Sequence, residues 1–268
     1  MEHPTMVQPG TRVDLRAIDP DLHEGLDKRD AQVRERLDAA REAMGDLQER
    51  LYAEGEQSLL IVLQAMDTGG KDGTIRHVMR GLNPAGVCVS GFKVPTAEEL
   101  AHDFLWRVHQ RVPRAGQIGV FNRSHYEDVL VVRVHGLVPE ATWRRRYDQI
   151  NEFEDLLAKS GTHIIKLFLH ISKDEQRQRL QARLDDPTKH WKFRPSDLEE
   201  RGRWDEYLDA YEDALTYCST AVAPWFVIPA NRKWYRNMIV AEIIAATLRE
   251  MDPQFPAVDF DPSTVVID

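Results

Sequence analysis

Five runs of apolar and β-branched residues punctuate the chain, at 59–63 (LLIVL), 87–92 (VCVSGF), 118–121 (IGVF), 162–171 (THIIKLFLHI) and 225–229 (WFVIP). Continuous apolar runs of this length predict buried strands. The segments between them carry helical spacing. Residues 21–52 place Leu22, Leu26, Val33, Leu37, Ala40, Met44, Leu47 and Leu51 at steps of three, four and seven, which predicts a long amphipathic helix. Its stripe either lies on the core or pairs with another subunit. Further helices are expected through Ile75, Val78 and Met79, from the Thr96/Glu99 capping box to about residue 112, over 129–134, and over 142–159 up to Gly161. Another starts at Ser172 and stops at the 185–187 break; the last two run over 195–221 and from Arg232 to about Met251. Strands alternating with helices imply right-handed crossovers, a parallel sheet and a site at the strands' carboxyl ends.

Three segments follow: residues 1–56 as an irregular arm and the long helix, 57–252 as one α/β domain, and 253–268 as a Pro-containing tail. With 268 residues, 42% of them hydrophobic, the chain can bury a full core. Two cysteines cannot frame a disulfide scaffold, and neither CxxC nor HExxH is present, so neither motif points to zinc. A reducing cytoplasm suits that composition. No signal-like start and no apolar run long enough to cross a bilayer is seen, and a net charge of −9 argues against a general nucleic-acid binder. The arginines are unevenly placed: Arg76, Arg80, Arg107, Arg111, Arg114, Arg123, Arg133 and 144–146 crowd the middle of the chain. That distribution suits a small polyanion bound in a cleft.

The chemistry concentrates after the first strand, at AMDTGGKDGTI. Glycines at 69, 70 and 73 leave backbone N–H groups open to a phosphate, the helix that follows favours anions, and Lys71 adds a point charge. The match to the common P-loop pattern is partial, with Ala65 at its first glycine position and Asp72 in place of the hydroxyl residue. After the third strand come Asn122, Arg123, Ser124, His125, Tyr126, Glu127 and Asp128. Acid and arginine side chains delivered to a strand's carboxyl tip are the second half of a nucleotide-type site, where carboxylates hold Mg2+. Lys93 stands at the end of the second strand. Arg177, Arg179 and Arg183, followed by the basic aromatic stretch 189–194, suggest a flap over the site, with a lid spanning about 173–200.

AMDTGGKDGTI, FNRSHYED and the arginine helix with PTKHWKF together resemble the polyphosphate kinase 2 family over about 59–248. The resemblance implies a P-loop kinase-like three-layer fold with a helical lid, and Mg2+-dependent phosphoryl transfer between inorganic polyphosphate and adenine, or guanine, nucleotides. It assigns catalysis to Asp67, Lys71, Arg123 and Asp128, with metal binding by Asp67, Asp128 and Glu127. Phosphate binding would fall to Gly69, Gly70, Asp72, Gly73, Thr74, Lys93, Arg133, Arg177, Arg183 and Lys233. Asn122 departs from the aspartate many members carry there. FNRSHYEDVLVVRVHG is most like the branch accepting AMP as well as ADP, and a homo-oligomer is expected. An ATP-dependent nucleoside or nucleotide kinase and a non-catalytic polyphosphate- or nucleotide-binding sensor remain as alternatives on the same residues; Asp67 and Asp128 beside the cations weigh against a sensor.

Overall fold

The computed structural model describes residues 3–267. Helix α1 (Ala31–Glu54) leads into β1 (Ser58–Ala65), α2 (Lys71–Val78) and β2 (Val87–Gly91). Two short helices, α3 (Ala97–Leu100) and α4 (Trp106–His109), precede β3 (Ile118–Asn122). Then follow α5 (Val131–Val134), α6 (Glu140–Lys159), β4 (Thr162–His170), α7 (Lys173–Leu184), α8 (Ser196–Gly202), α9 (Trp204–Cys218), β5 (Trp225–Pro229) and α10 (Lys233–Met251).

The five strands form one parallel sheet in the order β2-β3-β1-β4-β5. All eight residues of β1 are buried, as an apolar strand with neighbours on both sides requires. Leu63 of β1 is paired with Asn122 of β3, so both strands end at the same level. The chain leaves β1 for the edge strand β2 and returns to β3 beside β1, then crosses to β4 on the opposite side. Such a reversal opens a crevice beyond the carboxyl ends of β1 and β3. It is where the glycine-rich loop lies.

Helix α10 is buried nearly all round and packs on α1, α2 and β5. The buried stripe of α1 (Val33, Ala40, Met44, Leu51) thus has a partner within the chain, in α10. Helix α1 also begins ten residues later than its spacing predicts, at Ala31. The N-terminal arm is more ordered than expected. Met6 bridges Phe226 in antiparallel sense, with Val7 N–H donating to Trp225 (2.8 Å) and Val227 N–H to Thr5 (2.8 Å), so the arm covers the outer edge of β5.

Two expected long helices are broken. The Thr96/Glu99 capping box forms, but Asp103 intervenes: its carboxylate accepts from Leu105 N–H (3.0 Å) and its carbonyl from Trp106 N–H (3.1 Å), restarting the chain as α4. The 195–221 helix divides at Gly202 and Arg203 into α8 and α9, and Trp204, Leu208, Tyr211 and Leu215 of α9 face inward as predicted. Among the described residues no helix is long and apolar enough to cross a membrane.

Candidate active site

The loop between β1 and α2 is shaped by close approaches. A Cβ on Gly69 would strike the Ala65 methyl and come within 2.9 Å of the Met66 carbonyl oxygen; one on Gly70, whose φ is +105°, would strike the Arg236 guanidinium. Neither position accepts a side chain. Ala65 therefore replaces the usual glycine without obstructing the loop, and its carbonyl accepts from Lys71 Nζ (3.1 Å). Thr68 sits at φ +64°, with its hydroxyl buried and unpartnered. Burial lowers the Lys71 pKa, and Arg123 lowers it further against the pull of Asp67, Glu127 and Asp72.

Arg123 also has positive φ, +62°, a strained position for an arginine. Its backbone N–H donates to Leu63 (3.2 Å), which ties the end of β3 to β1. The guanidinium spans two carboxylates: Nη2 lies 3.5 Å from Asp67 and Nη1 3.9 Å from Glu127. Burial alone would depress the Arg123 pKa, but Glu127 and Asp67 hold it above its ordinary value. Gln64, at the end of β1, aims Glu127 by donating to its carboxylate (3.2 Å). Lys71, Arg123, Asp67 and Glu127 thus lie together at the crevice.

Beneath the turn 125–128 lies a buried polar network. Glu154 of α6 accepts from the Tyr126 hydroxyl (3.0 Å) and contacts His125 Nε2 (3.1 Å); Lys166, in the middle of β4, donates to Glu154 (2.5 Å), the Tyr126 hydroxyl (2.8 Å) and the Cys218 carbonyl (2.6 Å). This fastens the segment that carries Arg123 and Glu127.

Several expected site residues are engaged elsewhere. Asp128, read as a metal-side carboxylate, is turned inward: Arg146 donates to it (3.0 Å), and burial raises its pKa against Arg146 and Arg107. Arg133, read as a phosphate ligand, donates to Asp213 (2.6 Å) and lies 4.6 Å over the Trp143 ring. Asp72 accepts from the Asn122 amide (2.7 Å) and lies 3.9 Å from Lys192, so its side chain links the end of β3 to the 187–192 turn. The Thr74 hydroxyl donates to the Gly70 carbonyl (3.1 Å) under the loop. Arg177 is exposed and paired loosely with Asp174; Arg183 bonds the Lys192 carbonyl (3.0 Å) and Asp197 (3.5 Å), which folds the lid turn Pro187–Lys192 onto α7. Lys93 is exposed at the end of β2, and its carbonyl accepts from Arg107 (2.9 Å).

Two arginines, Arg179 from the expected flap and Arg236 from α10, pack against the loop. Arg179 donates to the Thr68 and Gly69 carbonyls (both 3.0 Å), the Ala230 carbonyl (2.6 Å) and Glu175 (2.6 Å), joining α7, the loop and the end of β5. Arg236 reaches Gly70 from α10. Lys233, one turn earlier, has its pKa lowered by burial and then by Arg179 and Arg236.

Residues 26–256 match the family described as Polyphosphate kinase 2. The chain belongs to the polyphosphate kinase 2 family. It is 55% identical over 262 residues, 98% of each chain, to an AMP/ADP-polyphosphate phosphotransferase of Meiothermus ruber. It is 48% identical to an ADP-polyphosphate phosphotransferase of Rhodopseudomonas palustris, covering 80% of this chain and 78% of that one. The crystal structure of polyphosphate kinase 2 from Arthrobacter aurescens superposes with a TM-score of 0.91 at 47% identity, covering 97% of this chain and 92% of the other. The α/β fold, with its central parallel sheet flanked by helices, therefore agrees with the polyphosphate kinase 2 architecture.

Proposed function

We propose that this enzyme transfers phosphoryl groups between inorganic polyphosphate and adenine nucleotides, AMP to ADP and ADP to ATP. The observation that carries the reading is the 55% identity, over 98% of both chains, to a phosphotransferase named for these substrates. The site geometry is consistent with it. Phosphoryl transfer asks a protein for positioning and charge stabilisation more than for covalent chemistry. The loop amides and Lys71 bind phosphate oxygens, while Arg123 lies where charge builds on the transferring group. A nucleotide's terminal phosphate is largely ionised at neutral pH, so no side chain has to remove a proton from it.

The donors present suit Mg2+. Asp67 and Glu127 are hard oxygen ligands on either side of one guanidinium, and this ion is commonly held by one or two carboxylates plus substrate phosphates. Asp67 and Glu127, rather than Asp128, would hold it. Bound there, it would neutralise charge on the phosphate chain. Asp67 also orders the mouth of the loop, where its backbone carbonyl accepts from Gln176 of the lid helix (3.2 Å).

The test is incubation of the purified protein with Mg2+, long-chain polyphosphate and AMP, followed by nucleotide chromatography over time. ADP and then ATP should appear, and neither should form with Lys71→Ala. Formation of ADP only when ATP replaces polyphosphate as donor would overturn the reading in favour of a conventional kinase. ATP made from ADP with AMP left untouched would remove AMP as an acceptor.

A further inference from the structure

Arg236 is 2% exposed, and its partners do not balance its charge. Nε and Nη2 both donate to one neutral acceptor, the Asn237 side-chain oxygen (3.1 and 2.8 Å). Burial pushes its pKa down to about 10, and the charge acting on it most is Arg179, a second buried cation. Arg179 differs in having four backbone carbonyls and Glu175 as acceptors. Removing a cation from water without an anion is costly, so a fold that keeps one needs compensation from outside the chain.

The position of the group shows where that compensation arrives. Nη1 occupies the space a Cβ of Gly70 would need, at the N-cap of α2, and Nη2 would lie 3.6 Å from a Cβ on Gly73. Gly70 caps α2 and Gly73 lies in its first turn, so both leave the helix's N-terminal backbone bare. Lys233, an exposed residue on the same helix, adds a second cation whose charged neighbours are mostly cations.

We propose that Arg236 is a phosphate-binding residue of the loop, meeting one phosphoryl group of the bound polyanion from the α10 side, and that this anion compensates a charge the unliganded fold leaves buried. The proposal rests on the phosphotransferase reading for the identity of the anion, a polyphosphate chain, but not for the existence of the site. It makes a prediction of unusual sign. A buried arginine that served packing alone would stabilise the protein, whereas this one stabilises only the liganded form.

Arg236→Met and Arg236→Lys are compared with wild type by thermal unfolding in phosphate- and sulfate-free buffer, then during titration with tripolyphosphate. Arg236→Met should melt at or above the wild-type temperature without anion, and should bind tripolyphosphate about tenfold or more weakly, the effect of one lost charge-assisted contact. Arg236→Lys should fall between them. In turnover, KM for polyphosphate should rise in Arg236→Met much more than KM for AMP. The inference is overturned if Arg236→Met melts below wild type without anion and still binds tripolyphosphate with wild-type affinity, or if wild type is not stabilised by tripolyphosphate at all. Should Arg236→Met not fold, wild-type affinity in Arg236→Lys overturns it as well. Anion-dependent stabilisation that requires Arg236, in a protein that transfers nothing from polyphosphate to nucleotides, would support this site and refute the functional reading.

Discussion

Lys166→Met tests whether the buried network under the 125–128 turn is an energetic unit. Lys166 is wholly buried, pairs with the equally buried Glu154, and donates to the Tyr126 hydroxyl and the Cys218 carbonyl. Methionine fills most of the space but leaves the Glu154 carboxylate with only His125 and Tyr126. Breaking a buried pair by removing one partner costs about 3–5 kcal/mol. With an unfolding entropy of roughly 2.1 cal/mol/K per residue, the 268-residue chain should lose roughly 5–9 °C in Tm. Adding Glu154→Gln removes the stranded charge, so the double variant should be more stable than Lys166→Met alone, with a coupling of about 1–3 kcal/mol. The pH dependence has a definite sign. Burial alone would raise the Glu154 pKa, but Lys166 and His125 together hold it below the ordinary carboxylate value. Its contribution is therefore complete above the unfolded carboxylate's pKa and is lost as pH falls through the lower folded one, and Lys166→Met should flatten that acid limb. Urea unfolding of the four proteins of the cycle at neutral pH, with Tm measured down the acid range, supplies every quantity. A loss below about 1 kcal/mol for Lys166→Met, or additive single effects, would refute the reasoning.

Three further outcomes follow from the site. Arg123→Lys keeps the charge but removes the fork that spans Asp67 and Glu127, so kcat should fall on the order of 10^3-fold with little change in Tm; a loss under tenfold would leave Arg123 as a mere electrostatic neighbour. Asn122→Asp replaces a 2.7 Å hydrogen bond to Asp72 by two facing carboxylates, costing about 1–2 kcal/mol, or roughly 2–4 °C, at neutral pH. That deficit should vanish as pH falls through the carboxylate range, and an unchanged Tm at pH 7 would count against the contact. Because burial lowers the Lys71 pKa, the free enzyme loses this cation below the ordinary 10.5, so kcat/KM for polyphosphate should decline early on the alkaline side in wild type and later in Lys71→Arg. Identical alkaline limbs would show that another group controls the decline.

The strands and the glycine loop between β1 and α2 were legible because each depends on local pattern. An apolar run becomes a central strand, and a glycine-rich stretch after it becomes the tight turn into α2. What escaped depended on partners distant in sequence. Asp128 looks like a metal ligand until Arg146, 18 residues later, claims it; Arg133 looks like a channel arginine until Asp213, 80 residues later, does the same. Helix α7 lacks a continuous apolar stripe, so nothing local separates Arg179, which holds the loop, from Arg177, which faces solvent. Lys166 did carry a signal. A lysine in the middle of an apolar strand must find an anion inside the fold, and Glu154 on the preceding helix is that anion.

An acidic chain can gather cations at one loop because many of its other arginines are paired with carboxylates elsewhere. Arg16 pairs with Asp209 and Glu212, Arg36 with Glu242, Arg133 with Asp213, Arg146 with Asp128 and Arg232 with Asp21. Each pair is nearly silent at long range, since opposite charges a few ångströms apart cancel within a Debye length. Around Gly70 the pattern changes. Lys71 donates to a carbonyl, Arg179 mainly to carbonyls, and Arg236 to an amide, so most of the acceptors there orient the cations without neutralising them. Four carboxylates still lie among these cations: Asp67 and Glu127 flank Arg123, Asp72 pulls on Lys71, and Glu175 accepts from Arg179. Net charge therefore describes the surface of this protein, while the identity of the acceptors bound to each cation, neutral or anionic, describes what its crevice attracts.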